Sequence, residues 1–215
     1  MRTQWIIKQR GVTLIELLVA LVIFGVVIGA IYRLFVAQTR AYTVQDQVVE
    51  VQQTVRSVME ILLRDLRMAG YDDDNIASTV TIPIPIATPV QASDITVSYE
   101  YYDSILAQYQ RHTVRYWRDA GSSTLFRQRT INAVAEAAEP LLENVDALTF
   151  TYGVDTNEDG NVDNWVAATG VGVSKVIAVR ISLTARPSQI NPDVAARVSP
   201  RTLTSAVIFR NIIMK

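Results

Sequence analysis

The sequence predicts an α+β fold: a long N-terminal helix packed on an antiparallel β-sheet. Three observations carry that expectation. Apolar residues dominate from Val12 to Tyr32, with a single charge at Glu16. A stripe of Val44, Val48, Val51, Val55, Val58 and Leu62 then recurs at steps of four and three, the period of one helix face. After Pro89 the period drops to two, which is the signature of strands. One helical block followed by a block of strands segregates the two kinds of structure.

The helix is expected over Val12–Gly70, because no proline interrupts it and Gly70 follows Arg64 and Arg67 as a C-terminal stop. Its first part, Val12 to Tyr32, is about 21 residues, or roughly 30 Å, the thickness of one bilayer core. Residues 71–89 carry Asp72-Asp73-Asp74-Asn75 and then Pro83, Pro85 and Pro89, and read as a loop. Strands follow at Ile95–Tyr101, Thr113–Arg118 and Thr124–Arg129, the last two joined at Gly121-Ser122, as an antiparallel meander. Ala133–Glu139 is alanine-rich and predicts a short helix before Pro140. Leu148–Val154, Val173–Leu183 and Leu203–Arg210 alternate as further strands, with a surface loop over Pro187–Pro200. The Val stripe is expected to pack on one sheet face, the other being left for neighbours or solvent.

Composition narrows the function classes. The chain has 215 residues, a net charge of −1 and no Cys. Near-neutral charge argues against a nucleic-acid surface. Beyond the apolar run about 180 residues remain, enough for one domain with a core. Arg2, Lys8 and Arg10 precede the apolar run with no acid among them, which predicts an N-terminus on the cytoplasmic side of a membrane. No arrangement of Ser, His and acids suggests nucleophilic catalysis, and the single His112 reads as structural. Tyr99, Tyr101, Tyr102, Tyr109, Tyr116 and Trp117 gather in the meander, either as core or as an exposed aromatic patch.

Glu16 is the most informative residue. A carboxylate in hydrocarbon costs roughly 2.5–3.5 kcal/mol on insertion scales, and such a residue needs a partner. A cut after Gly11, the small residue ahead of the apolar run, would place a new amine on Val12, one turn from Glu16.

Gly11-Val12-Thr13-Leu14-Ile15-Glu16-Leu17-Leu18 resembles the N-terminal signal of type IV prepilins and type II secretion pseudopilins. The resemblance implies cleavage after Gly11 by a prepilin peptidase and N-methylation of Val12, where the family most often has Phe. It implies a leader at 1–11, a transmembrane and filament-core segment at 12–32, an amphipathic helix at 33–70 and an exported domain at 71–215. Glu16 would set assembly register by pairing with the Val12 amine of a neighbour. Gly25 and Gly29, four apart, suit close helix contact.

Arg64-Asp65-Leu66-Arg67-Met68-Ala69-Gly70-Tyr71 resembles the helix end of PilW-type minor pilins, as Leu203–Asn211 resembles their last strand. Leu142–Tyr152 is similar to a segment shared with GspJ-type minor pseudopilins. The resemblance implies a non-enzymatic minor pilin that primes type IV pilus assembly and sits at the tip. Its partners would be other major and minor pilins, the prepilin peptidase, the inner-membrane assembly platform and a tip adhesin. It would lie in the inner membrane with a periplasmic domain before assembly, and in the extracellular pilus afterwards. A GspJ-like pseudopilin of a type II secretion system is the alternative, and a membrane-anchored enzyme or sensor a more distant one.

Asp155, Asn157, Asp159 and Asp163 stand at positions 1, 3, 5 and 9 of a loop with Gly160 at position 6 and Asn161 at 7. This spacing suits a calcium ion, with Asn161 offering its carbonyl, although position 12 is Val166 where an EF-hand has a bidentate acid. A structural calcium ion is therefore expected, against the alternative of a polar turn. Asp72, Asp73 and Asp74 read as a solvated loop, since consecutive acids point different ways.

Overall fold

The computed structural model of the protein describes residues 11–73, 78–171, 175–187, 192 and 198–213. The chain divides into two compact units, Met1–Gln45 and Asp46–Lys215.

The first unit is helical from Leu14 onward. Helix α1 spans Leu14–Arg67, 54 residues. From Gly11 to Phe35 every side chain is exposed, and the most apolar stretch has a mean hydropathy of 2.9 with none of it buried. The helix is therefore long and apolar enough to cross a membrane. Exposed apolar area costs about 25 cal/mol per Å² in water, so this surface calls for lipid or other apolar helices.

In the second unit α1 becomes a core element. Val51, Val55, Val58 and Leu62 of the stripe are buried, with Met59, Leu63 and Leu66 beside them, whereas Val44 and Val48 are half-buried. Beyond Arg67, Gly70 takes φ +75° and its N–H donates to Ser98 O at 2.9 Å. A Cβ there would stand 3.0 Å from Ile212 Cγ1, so glycine is required both by conformation and by space.

The strands form two antiparallel sheets where the sequence suggests one. The first holds β1 (Asp94–Asp103), β2 (Gln108–Asp119) and β3 (Thr124–Ile131) as the expected meander, with β4 (Val134–Ala135) and β5 (Glu139–Leu142) both pairing β3. The second has β6 (Val145–Asp155), β7 (Asn164–Ala167), β8 (Lys175–Ala185) and β9 (Arg201–Ile208) in the order β7-β6-β8-β9. A four-residue helix α2, Arg210–Ile213, ends the described chain. One apolar cluster joins α1 to both sheets through Val97, Val114, Tyr116, Leu125, Phe150, Tyr152, Ile181 and Leu183. The sheets are also stitched by backbone bonds, Phe150 N to Ala92 O at 2.7 Å and Val145 N to Ser123 O at 2.8 Å.

The helix expected over Ala133–Glu139 is corrected by β4 and β5. Asn132 (φ +46°) and Ala133 (φ +69°) make a two-residue hairpin turn, with Ile131 paired to Val134. Pairing with β3 overrides the alanine propensity, and Pro140 sits on an edge strand where its missing N–H is harmless. The strand expected from Leu203 to Arg210 stops at Ile208 and gives way to α2. Val173 and most of the loop 187–200 lie outside the described residues.

Candidate functional site

At the N-terminal end, sequence and geometry meet on Thr13 and Glu16. The Glu16 side chain turns back to Thr13: Oε2 accepts from Thr13 N at 2.8 Å and from Thr13 Oγ1 at 2.9 Å. Glu16 N in turn donates to Thr13 Oγ1 at 3.3 Å. This is a reciprocal capping box, which satisfies amides that a helix start leaves unpaired. Leu17 N then donates to Thr13 O as the first helical bond. Glu16 Oε1 takes no part in the cap.

Gly11 and Val12 stand just ahead of the cap. Both are exposed, and nothing lies within 4 Å of where a Gly11 Cβ would be. The bond after Gly11 is thus accessible, and Val12 precedes Thr13 by one residue. Gly25 and Gly29 also have open space around them, so the apolar helix surface is locally flat there.

In the second unit the sequence reasoning missed a buried acid. Asp65 is 5% exposed. Its Oδ2 accepts from Tyr116 Oη at 2.6 Å, from Arg127 Nε at 2.9 Å and from a terminal nitrogen of Arg127 at 2.8 Å. The cluster ties α1 to β2 and β3. Burial and the Asp65 charge push the Tyr116 hydroxyl far up, so it stays a donor. The available signal was position: Asp65 continues the step from Val58 and Leu62 along the buried stripe, and an acid there demands partners.

Glu100 is a second missed acid, 1% exposed. It accepts from Asp73 N at 2.9 Å and from the Ser78 hydroxyl, holding the chain after α1 against β1. His112 is structural, as expected. It is buried, its Nε2 contacts Gln110 Oε1 at 3.2 Å, and its ring lies tilted against that of Tyr101 with centroids 4.9 Å apart. Burial lowers its pKa below the ordinary 6.5. The aromatic cluster divides: Tyr99 and Tyr116 are core, whereas Tyr101 and Tyr102 are about half exposed.

The loop from Asp155 to Asp163 joins β6 to β7. Gly160 has φ +81°, the sharp turn expected at that position. Asp155 is buried and accepts from Glu158 N at 2.6 Å and Gly160 N at 2.9 Å. Asp159 accepts from Asn161 N at 2.8 Å and from Asn157 Nδ2 at 3.2 Å. Asp163 accepts from Thr156 N at 2.8 Å and from the Thr156 hydroxyl, contacts that lower its pKa. The loop has the turn of a cation loop, while its carboxylates, as arranged, serve its own amides. Among the described residues no group of three or more acids or histidines converges as a metal-holding set.

The comparisons with known proteins fall on both regions. The family model described as Type IV Pilus-assembly protein W matches residues 116–207. The model described as Prokaryotic N-terminal methylation motif matches residues 6–32. Among curated proteins, the Pilin-like protein PilA3 of Thermus thermophilus is 34% identical over 80 residues, 36% of this chain. The match spans 34% of that relative's length.

Proposed function

We propose that this type IV pilin-like chain works as a PilW-like minor pilin, a structural subunit that primes pilus assembly. The observation that carries the reading is helix α1. One part of it is a fully exposed apolar surface headed by the Thr13–Glu16 cap, inside the methylation-motif match. The other part is core to a domain matched by the PilW family model.

On this reading the prepilin peptidase cuts after Gly11 and methylates Val12. The basic leader keeps the N-terminus cytoplasmic, and the domain is exported to the periplasm and then to the pilus. The exposed apolar helix leaves lipid for the helices of other pilins without meeting water. Glu16 Oε2 caps its own helix while Oε1 receives the Val12 ammonium of a neighbouring subunit. An unpaired charge among apolar helices is costly and a paired one much less so, so the pair fixes axial register. The assembly platform and a tip adhesin are the further partners proposed, and the role is non-catalytic.

The test is deletion of the gene and complementation, with pili counted by electron microscopy and the N-terminus of the membrane-extracted protein read by mass spectrometry. The expected result is loss of surface pili, restored by the parent gene, and a mature chain that begins at N-methyl-Val12. Intact piliation with failed protein export would move the chain to a GspJ-like secretion pseudopilus. An unprocessed Met1 with normal pili would overturn the reading.

A further inference from the structure

Sheet edges are normally blunted, because unpaired N–H and C=O groups recruit other strands. Most edges here are handled in that way. The outer edge of β1 is covered by its own chain: Ser98 N bonds Pro85 O, Ala87 N bonds Thr96 O and Glu100 N bonds Tyr71 O. On the far side of that sheet β4 and β5 are two and four residues long, and β5 carries Pro140. β7 has four residues. β9 differs: it is eight residues long, its register against β8 is unbroken, and it contains no proline and no acid.

The direction of its free groups follows from the ladder. Phe209 N donates to Ile177 O at 2.8 Å, and Ile208 pairs with Ala178, Val207 with Val179. Hydrogen-bonded pairs alternate along an antiparallel ladder, so the odd-numbered residues of β9 bond β8. The N–H and C=O of Thr202, Thr204, Ala206 and Ile208 face outward, and no described backbone group meets them.

Beside this edge lies a cleft of about 570 Å³ between α1 and the start of β9, lined by Gln52, Val55, Arg56, Pro200, Arg201 and Leu203. Arg201 Nε is buried and makes no hydrogen bond among the described residues. Arg56 adds a second guanidinium, paired only loosely with exposed Glu60 at 3.6 Å.

We infer that β9 is a docking edge for an extended segment of a partner protein, a strand of alternating apolar and polar residues with one acid. The added strand takes its main-chain bonds from Thr202, Thr204, Ala206 and Ile208. Its inward side chains enter the cleft over Val55 and Leu203, and its carboxylate meets Arg201 and Arg56. A symmetric pairing with β9 of a second copy does not suit the role, because Arg-Thr-Leu-Thr-Ser-Ala-Val-Ile offers no acid to Arg201. The edge exists whether or not the chain enters a filament.

The probe is a fluorescein-labelled octapeptide of alternating Thr and Val, with Asp substituted at each Val position in turn, and a Lys twin of each. Binding to the full chain in detergent micelles is read by anisotropy. The best Asp peptide is expected to bind about tenfold more tightly than its twin, the factor a charge-assisted hydrogen bond supplies. Ala206→Pro and Thr204→Pro, which remove outward N–H groups and no backbone bond to β8, should abolish binding, with an unchanged melting temperature for Ala206→Pro. Arg201→Gln should narrow the preference for Asp over Lys, and Arg201→Gln with Arg56→Gln should level them. In the parent protein, bound peptide should slow hydrogen exchange at Thr202, Thr204, Ala206 and Ile208. Equal affinity for Asp and Lys peptides, no protection of those amides, or peptide binding that survives both prolines overturns the inference. So does a dimer of the protein alone that Ala206→Pro dissolves, since the occupant is then a second copy.

Discussion

Asp65 shows how one residue can hold an element in place. Its carboxylate is the shared acceptor for Tyr116 and Arg127, which come from neighbouring strands and converge on α1. The Arg127 side chain is only 16% exposed, with Glu139 a distant second partner at 3.7 Å. Removing the charge strands a guanidinium in a poorly solvated place. Asp65→Asn keeps an oxygen for the Tyr116 hydroxyl and should still cost about 3 kcal/mol, within the range for breaking one side of a buried pair. Denaturant unfolding of the full chain in detergent measures this, and a loss under about 1 kcal/mol would mean that water reaches Arg127. Replacing both partners, Asp65→Leu with Arg127→Met, should recover most of the loss. The pH dependence has a definite sign. Folded Tyr116 holds its proton more tightly than the unfolded phenol does. Its contribution is therefore complete below the ordinary value of 10.0 and is lost as pH rises above it.

At the scale of elements, what could be read from the chain was what periodicity encodes. The Val stripe has period 3.6 and the apolar run ahead of it holds no proline, and together they became α1 within a few residues of the expected ends. The strands of the meander and β6 have period two and stand where alternation puts them. Period says nothing of partners, so the division into two sheets and the staple at Asp65 came only with the fold. The segment 133–139 failed because its determinant is the turn before it: Asn132 and Ala133 both at positive φ send the chain back along β3. The Asp155–Asp163 loop lies between these cases. Its Asp, Asn and Gly spacing locates the turn, but the same side chains serve a hydrogen-bonded turn or a cation equally well. A structural calcium ion is proposed for it, with Asp155, Asn157, Asp159, Asn161 and Asp163 as ligands. Calorimetric titration of the full chain should release heat, and melting should rise by several degrees with calcium over chelator. Asp159→Ala should erase both. A flat titration leaves the loop as a turn closed by its own amides.

For the whole molecule the governing fact is an apolar helix surface left exposed among the described residues. From Gly11 to Phe35 nothing is buried, and on the proposed function this part passes from lipid to the apolar helices of other pilins. Glu16 is the one acid on it, far along the chain from Arg33 at the other end, and the cap gives it an occupation that requires no second subunit. Two accounts of Glu16 thus compete. As a cap it contributes about 1 kcal/mol to its helix. As a counter-charge for a neighbour's Val12 ammonium it decides whether a subunit can join at all. Glu16→Gln separates them, because a Gln at this position of a capping box still accepts from Thr13 but carries no charge. The charge account expects Gln to fail as completely as Ala, with the protein cleaved, methylated and stable in the membrane while surface pili are absent. Near-normal pili with Gln and few with Ala would assign Glu16 to capping alone. Counting pili per cell, with immunoblots of the membrane pool, reads both outcomes. A Thr13→Val strain, which removes the side-chain half of the cap and leaves the charge, should retain pili on the charge account and lose them on the other.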